Sequence, residues 1–204
     1  MRYRFGFLAA LVLGASAWAG GGPLGIDHML VRSDTGIYSR SNQTALEALS
    51  ALAVAGGALY EGGDTRLGRT FWQATDSMLI TAVAAEGTKL VFRRQRPING
   101  NDPDAWFKSR HDRSFPSGEV AHITAVVTPF IAEYQQDTPT VWALAVLPVY
   151  VGIGRLKSQA HWQTDILAGA ALGGTVGYLS HKYNSNFTMT LLPHGFSIGY
   201  RTSF

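Results

Sequence analysis

Apolar residues recur at helical spacing over most of the chain, and Gly or Pro stands where most of these stretches end. The pattern predicts four helices: about Asn42 to Leu59, Thr70 to Arg94, from after Pro116 to about Tyr134, and His161 to Lys182. A further apolar segment, Thr140 to Gly152, contains Pro148 and is predicted to be broken there. Most of these apolar stretches are shorter than the ~20 residues that a membrane span needs. The prediction is therefore an all-α protein, a helical bundle whose apolar faces pack together.

Two segments depart from this pattern. Residues 98–114, INGNDPDAWFKSRHDRS, form a polar stretch that is predicted to be a long loop, and a loop of this length in a compact domain is usually functional or mobile. The tail NFTMTLLPHGFSIGYRTSF has two short runs around Pro193-His194-Gly195, which predicts a short C-terminal β-hairpin.

The first residues, MRYRFGFLAALVLGASAWAG, combine two arginines, a short apolar run and small residues ending in Ala17-Trp18-Ala19. This pattern is typical of a secretory signal peptide, here residues 1–19, with an uncleaved membrane anchor as the alternative. The expectation is an exported protein of the periplasm or cell envelope. It would have a single domain, residues 20–204, that is either soluble or peripherally attached to a membrane.

The composition and the distribution of charge limit the kinds of chemistry and ligand to be expected. Of 204 residues, 46% are hydrophobic and 15% charged, so the chain is expected to fold, and the absence of Cys excludes disulfides and thiolate chemistry. The formal net charge is +3, and the basic residues gather between Lys89 and Arg113. Such a cluster suits phosphate or an anionic lipid surface, and no nucleic-acid recognition motif accompanies it.

Two short segments supply groups that suit phosphate. Lys89 and Arg96 are separated by six residues, a spacing that places both cations on one face if the helix continues. Pro116-Ser117-Gly118 opens a predicted helix, where free backbone N–H groups bind phosphate oxygens. Taken alone, the first is more often a solvated basic face and the second a plain helix cap.

A third segment, GRLKSQAHWQTD, carries Arg155, His161 and Asp165. On a helix, Asp165 would lie on the same face as His161 and is predicted to orient its ring and stabilise its charged form. His161 is then a candidate nucleophile toward phosphorus, with Arg155 holding the oxygens. A lone His/Asp pair at this spacing is more often a surface contact.

Together, in this order, Lys-x6-Arg-Pro, Pro-Ser-Gly and Arg-x5-His-x3-Asp resemble the signature of the type 2 phosphatidic acid phosphatase (PAP2) superfamily, from about Thr65 to Gly177. The resemblance implies a PAP2/haloperoxidase-type helical bundle. It implies that His161 attacks phosphorus to form a phosphohistidine, supported by Asp165, and that water then releases phosphate without a metal or other cofactor. It also implies a phosphate site made of the following residues: Lys89, Arg96, Ser117, Gly118 and Arg155.

Two positions depart from the family pattern. Gly154 stands where the family usually has Ser, which is expected to loosen a supporting contact of Arg155. Glu119 stands where the family usually has a histidine that protonates the leaving oxygen. Three interpretations stay open: Glu119 replaces that histidine as the acid if burial raises its pKa, His122 one turn along replaces it, or the site binds phosphate without turnover.

The expected function is hydrolysis of a phosphomonoester or diphosphate. A lipid-linked substrate is favoured, for example phosphatidate, undecaprenyl diphosphate or a lipid A phosphate, because the export signal and apolar helices place the protein near membranes. The alternatives are a non-specific acid phosphatase acting on small phosphate esters, a non-catalytic phosphate- or phospholipid-binding protein, and a vanadium haloperoxidase.

Overall fold

The structure, a computed structural model, describes residues 21–183, 187–192 and 195–200, with side chains described over 21–183. These residues include five α-helices and three 3-10 helices. The α-helices are α1 (Arg40–Glu61), α2 (Arg66–Phe92), α3 (Gly118–Tyr134), α4 (Val146–Lys157) and α5 (Gln163–Lys182). The 3-10 helices are Gly36–Tyr38, Pro97–Asn99 and Pro139–Ala145. The predicted all-α bundle is confirmed for these residues.

Helix α3 lies at the centre of the bundle and packs against the other four helices. Its buried Val120, Ile123 and Val127 belong to one apolar cluster with Val54 of α1 and Val151 of α4. The contact with α5 is close because α5 presents glycine: a Cβ on Gly173 would stand 2.1 Å from the backbone oxygen of Ala121. This close packing fixes the start of α3 against the start of α5, which is where the site lies.

Three sequence expectations about helix ends need correction. Helix α2 ends at Phe92, so Arg96 does not share a helical face with Lys89. Helix α5 begins at Gln163, after His161. Pro148 does not break the helical segment; it lies in the first turn of α4, just after the 3-10 helix Pro139–Ala145 passes into that helix.

One segment is longer and more apolar than the sequence pattern indicated. Pro139–Lys157 is a continuous helical stretch of 19 residues, and by length and composition it alone among the described residues is suited to crossing a membrane. Only 22% of its most apolar part is buried. Trp142, Val146, Val149 and Ile153 recur on one face and are 38–64% exposed, so they form an apolar stripe on the surface.

Two terminal features of the sequence analysis stay predictions. The backbones of β1 (Phe187–Leu192) and β2 (Gly195–Tyr200) pair antiparallel, but the predicted turn at Pro193 and His194 lies outside the described residues. The predicted signal peptide, residues 1–19, lies outside them as well.

Candidate active site

A cavity of about 580 Å³ opens between the helices. Its wall contains most of the residues that the sequence predicted for a phosphate site: Lys89, Arg96, Gly118, Glu119, His122, Arg155 and His161. Ser117 and Asp165 are fully buried and lie next to these wall residues in the chain or in space. Residues that are distant in the chain therefore meet here, as the three motifs together predicted.

The start of α3 supplies a polar cradle. The backbone N–H of Ser117 donates to the backbone oxygen of Asp165 at 3.0 Å, which ties this helix start to α5. The Ser117 hydroxyl and the Nε of Arg96 are buried without a hydrogen-bond partner among the described residues. Such groups are costly to bury unless a ligand satisfies them, so both are candidate donors to a bound anion.

The side chain of Lys89 closely approaches Gly118. A Cβ at this position would stand 2.7 Å from the Lys89 Nζ. The ammonium group also forms an ion pair with Glu86 at 2.8 Å, and its side chain is only 13% exposed. The glycine thus lets a cation reach the first turn of α3, where the helix dipole already favours an anion.

His161 is buried, and its tautomer follows from its surroundings. Its Nδ1 lies 2.6 Å from the backbone oxygen of Ser114. A carbonyl oxygen only accepts, so Nδ1 carries the proton and the other ring nitrogen, Nε2, has a free electron pair. Burial lowers the pKa of His161 more than the neighbouring Asp165 raises it, so the ring is neutral near pH 7. A neutral imidazole with a free Nε2 is the form required of a nucleophile.

Asp165 supports His161 in a different way from the one predicted. Its Oδ2 lies 3.8 Å from Nδ1, beyond hydrogen-bond distance, because His161 precedes the helix. The same oxygen accepts from the Trp162 backbone N–H at 2.8 Å and from the Ser114 hydroxyl at 2.5 Å. Asp165 therefore fixes Trp162 and Ser114, and the backbone oxygen of Ser114 in turn positions the His161 ring. The negative charge of Asp165 also faces the imidazole.

Arg94, which the sequence analysis gave no role, neutralises this buried carboxylate. Its guanidinium is fully buried and donates to Asp165 and to Asp27, at 2.6 Å in each case. It also donates to the Pro103 oxygen in the 98–114 loop and stacks on the Trp106 ring, 4.4 Å from its centroid. The pKa of Asp165 is below its ordinary value: burial would raise it, but His161, Arg94 and Ser114 outweigh that effect.

Glu119 is an ionised carboxylate. It forms an ion pair with the Nε of Arg155 at 2.5 Å and a second one with Arg40. Burial alone would raise its pKa, but these cations outweigh burial and the pKa lies below the ordinary value. The condition for Glu119 to act as the acid, a pKa raised by burial, is therefore not met.

His122 is also poorly suited to donate a proton. Its Nε2 lies 3.2 Å from the Ser50 hydroxyl, which itself donates to the Glu47 backbone oxygen at 2.8 Å. Burial lowers the pKa of His122, so the ring is neutral near pH 7. The His122 ring therefore lines the cavity as a neutral imidazole, which can accept a proton but is poorly suited to donate one.

Gly154, which was expected to loosen a supporting contact of Arg155, makes room for another side chain that contacts this arginine. A Cβ at Gly154 would stand 2.1 Å from the Gln43 side-chain nitrogen, so the glycine makes room for that side chain. Gln43 accepts from the Arg155 Nη1 at 3.4 Å and donates to the Tyr38 backbone oxygen at 2.9 Å. Gln43, Arg40 and Glu47 all come from α1, whose polar positions carried no motif by which the sequence could have marked them.

Comparison with known proteins shows the family of the chain. The PAP2 superfamily is matched over residues 71–189, more than half of the chain, and the chain belongs to this superfamily. An undecaprenyl-diphosphatase from Sulfolobus acidocaldarius is 30% identical over 111 residues, covering 53% of this chain and 52% of that protein. A lipid A 1-phosphatase from Porphyromonas gingivalis is 39% identical over 70 residues, covering 33% of this chain and 16% of that protein.

These alignments span about half of one relative and a small part of the other. Among solved structures, the crystal structure of Aquifex aeolicus LpxE has a similar fold, with a TM-score of 0.51 at 22% identity. That similarity covers 69% of this chain and 84% of the other.

Replacing Arg94 with Gln should destabilise the protein severely. The substitution leaves two buried carboxylates, Asp27 and Asp165, without their cation, and breaking such a pair costs about 3–5 kcal/mol. The adjacent Arg93→Gln is the matched control, because Arg93 forms no ion pair among the described residues. Urea unfolding measures both, and equal free energies of unfolding for the two variants would contradict the assigned role of Arg94.

Proposed function

We propose that the protein hydrolyses phosphomonoesters or diphosphates through a phosphohistidine at His161. The observation that carries this proposal is the fixed tautomer of His161, in a cavity that also holds Lys89, Arg96 and Arg155. A free imidazole nitrogen supplies the nucleophile, and the three cations supply the positive charge that a transferring phosphoryl group requires.

The proposed reaction has two displacements. In the first, His161 Nε2 forms a bond to phosphorus, the bond from phosphorus to the leaving oxygen breaks, and that oxygen takes up a proton. The imidazole is now positively charged, and the nearby carboxylate of Asp165 stabilises it. In the second, water attacks phosphorus, loses a proton to a base, and the N–P bond breaks to release inorganic phosphate. The Ser117 hydroxyl and the first turn of α3 hold the phosphoryl oxygens in both steps.

The reaction is proposed to need no metal. The cations at the cavity are proposed to perform the electrophilic role. The ionised Glu119 is proposed to keep Arg155 and Arg40 in place rather than to serve as the acid. The complete set of cations and the held His161 favour turnover over phosphate binding alone.

A lipid-linked phosphate is the proposed substrate class. Two relatives are named for lipid substrates, an undecaprenyl-diphosphatase and a lipid A 1-phosphatase. The apolar stripe on Pro139–Lys157 supports the same proposal, because Arg155 of the site lies at one end of this segment. We propose that the stripe rests on a lipid surface in the cell envelope, by peripheral association. A small soluble phosphate ester remains the alternative substrate.

Phosphate release by the full chain tests the proposed activity. His161→Ala should lose roughly 10³-fold or more of kcat on an aryl phosphate, since it removes the nucleophile. His111→Ala, an exposed histidine in the 98–114 loop, should be unaffected. Phosphate binding by the wild type without release would favour a binding protein, and peroxide-dependent halide oxidation with vanadate would favour a haloperoxidase.

A second experiment tests the lipid surface. Val149→Ser should lower hydrolysis of a lipid diphosphate presented in anionic vesicles, and lower sedimentation with them, because Val149 is 60% exposed on the stripe. Hydrolysis of a soluble aryl phosphate should be unchanged. Leu179→Ser on α5 is the control, an exposed apolar residue outside the stripe. If both variants bind the vesicles as the wild type does, the stripe is not the membrane contact.

A further inference from the structure

Helix α1 contributes a polar face to the cavity, although it lies outside the residues matched to the family. Arg40, Gln43, Glu47 and Ser50 follow one another at intervals of three or four residues, so they share one side of the helix. Arg40 pairs with Glu119, Gln43 contacts Arg155, and Ser50 contacts His122. Three of the four residues on this face thus contact a residue of the cavity wall.

The fourth, Glu47, itself lines the cavity together with Lys89, Arg155 and His161. It is partly exposed to the cavity, and no ion pair of its side chain is present among the described residues. This separates it from the other two glutamates of the wall: Glu86 pairs with Lys89 and Arg113, and Glu119 pairs with Arg155 and Arg40. Among the described residues of the wall, Glu47 is the carboxyl that forms no ion pair with a cation.

A donor is needed at this place because the leaving oxygen of an alkyl phosphate is strongly basic. Glu119 is held as a carboxylate by two cations, and His122 is neutral. By contrast, burial and the negative charge of Glu119 raise the pKa of Glu47, against the opposing charges of Arg40, Arg155 and Lys89. Two neighbouring carboxyls whose pKa values are pushed apart are typical of an acid and its ionised partner.

We infer that Glu47 is the proton donor to the leaving oxygen, an assignment that rests on the proposed phosphatase reaction. In the first displacement the O–H bond of Glu47 breaks and its proton passes to the leaving oxygen as the P–O bond breaks. Glu47 is then a carboxylate. In the second displacement this carboxylate can take the proton of the attacking water, which restores the acid for the next cycle.

The charges that act on Glu47 come from four helices and define what its pH dependence reports: Arg40 of α1, Lys89 of α2, Glu119 of α3 and Arg155 of α4. The other titratable or charged groups of the same cavity wall include Glu86, Arg96, His122 and His161. Glu47 must be protonated to act, so kcat on an alkyl phosphate should fall as the pH rises through its pKa, above the ordinary value of 4.5.

The test compares an alkyl phosphate with an aryl phosphate, whose leaving oxygen needs little protonation. Glu47→Gln should lose about 10²–10⁴-fold in kcat on the alkyl ester and less than about 10-fold on the aryl ester. The fall of rate with rising pH should also disappear from the alkyl profile. Glu47→Asp, which keeps a carboxyl, should recover part of the alkyl activity.

Glu61→Gln is the matched control, because it neutralises a glutamate of the same helix outside the cavity wall. Its activity on both esters should equal that of the wild type, and thermal unfolding checks that all variants fold. Equal losses of Glu47→Gln on the two esters, or no loss on either, would overturn the role of Glu47 while the proposed activity stands. A wild type that releases phosphate from neither ester would instead contradict the proposed activity and, with it, this assignment.

Discussion

The buried carboxylate of Asp165 holds together the segments that form the site. It accepts from the N–H of Trp162 at the start of α5, from the hydroxyl of Ser114, and from the guanidinium of Arg94. The backbone oxygen of the same residue accepts from Ser117 at the start of α3. A buried charge is tolerated only if it is paired and fully hydrogen-bonded, and here each of those bonds fixes a different part of the site.

The geometry of the proposed active site follows from this constraint. Because Ser114 is held by its side chain, its backbone oxygen stands where the Nδ1 of His161 must donate. The ring therefore presents a free Nε2, and burial keeps it neutral. Because Ser117 is held by its backbone, the first turn of α3 stays beside Lys89. One network, whose centre does not line the cavity, thus positions both the proposed nucleophile and the proposed phosphate cradle.

Glutamate at position 119 changes how charge is distributed over the site. A histidine there could donate a proton to the leaving oxygen, whereas Glu119 is ionised and forms ion pairs with Arg155 and Arg40. Its negative charge is one of the two main causes that raise the pKa of Glu47 on the facing helix. On this account the acid has moved from α3 to α1, and Glu119 helps to keep the new acid protonated.

The sequence predicted the bundle and four of the five α-helices described, with errors at the end of α2 and the start of α5. Through three motifs at fixed spacing it also predicted the residues that meet at the cavity. It did not predict the interactions that hold the motif residues in place. In the sequence, Arg94 is one of several basic residues between Lys89 and Arg113. Only the structure shows that it is fully buried between Asp27 and Asp165. The spacing of His161 and Asp165 suggested a direct helical pair, but the helix starts between them. Glu47 belongs to no motif. Its place in the cavity depends on how α1 packs against the other helices, which the sequence pattern does not show.

The most direct test of the account is to identify the phosphorylated atom. Full-length protein would be quenched during turnover of a ³²P-labelled aryl phosphate, and the labelled residue and ring nitrogen determined by mass spectrometry and comparison with phosphohistidine standards. The account predicts phosphate on Nε2 of His161, because Nδ1 is occupied by its hydrogen bond to Ser114. Phosphate on Nδ1, or on any residue other than His161, would contradict it.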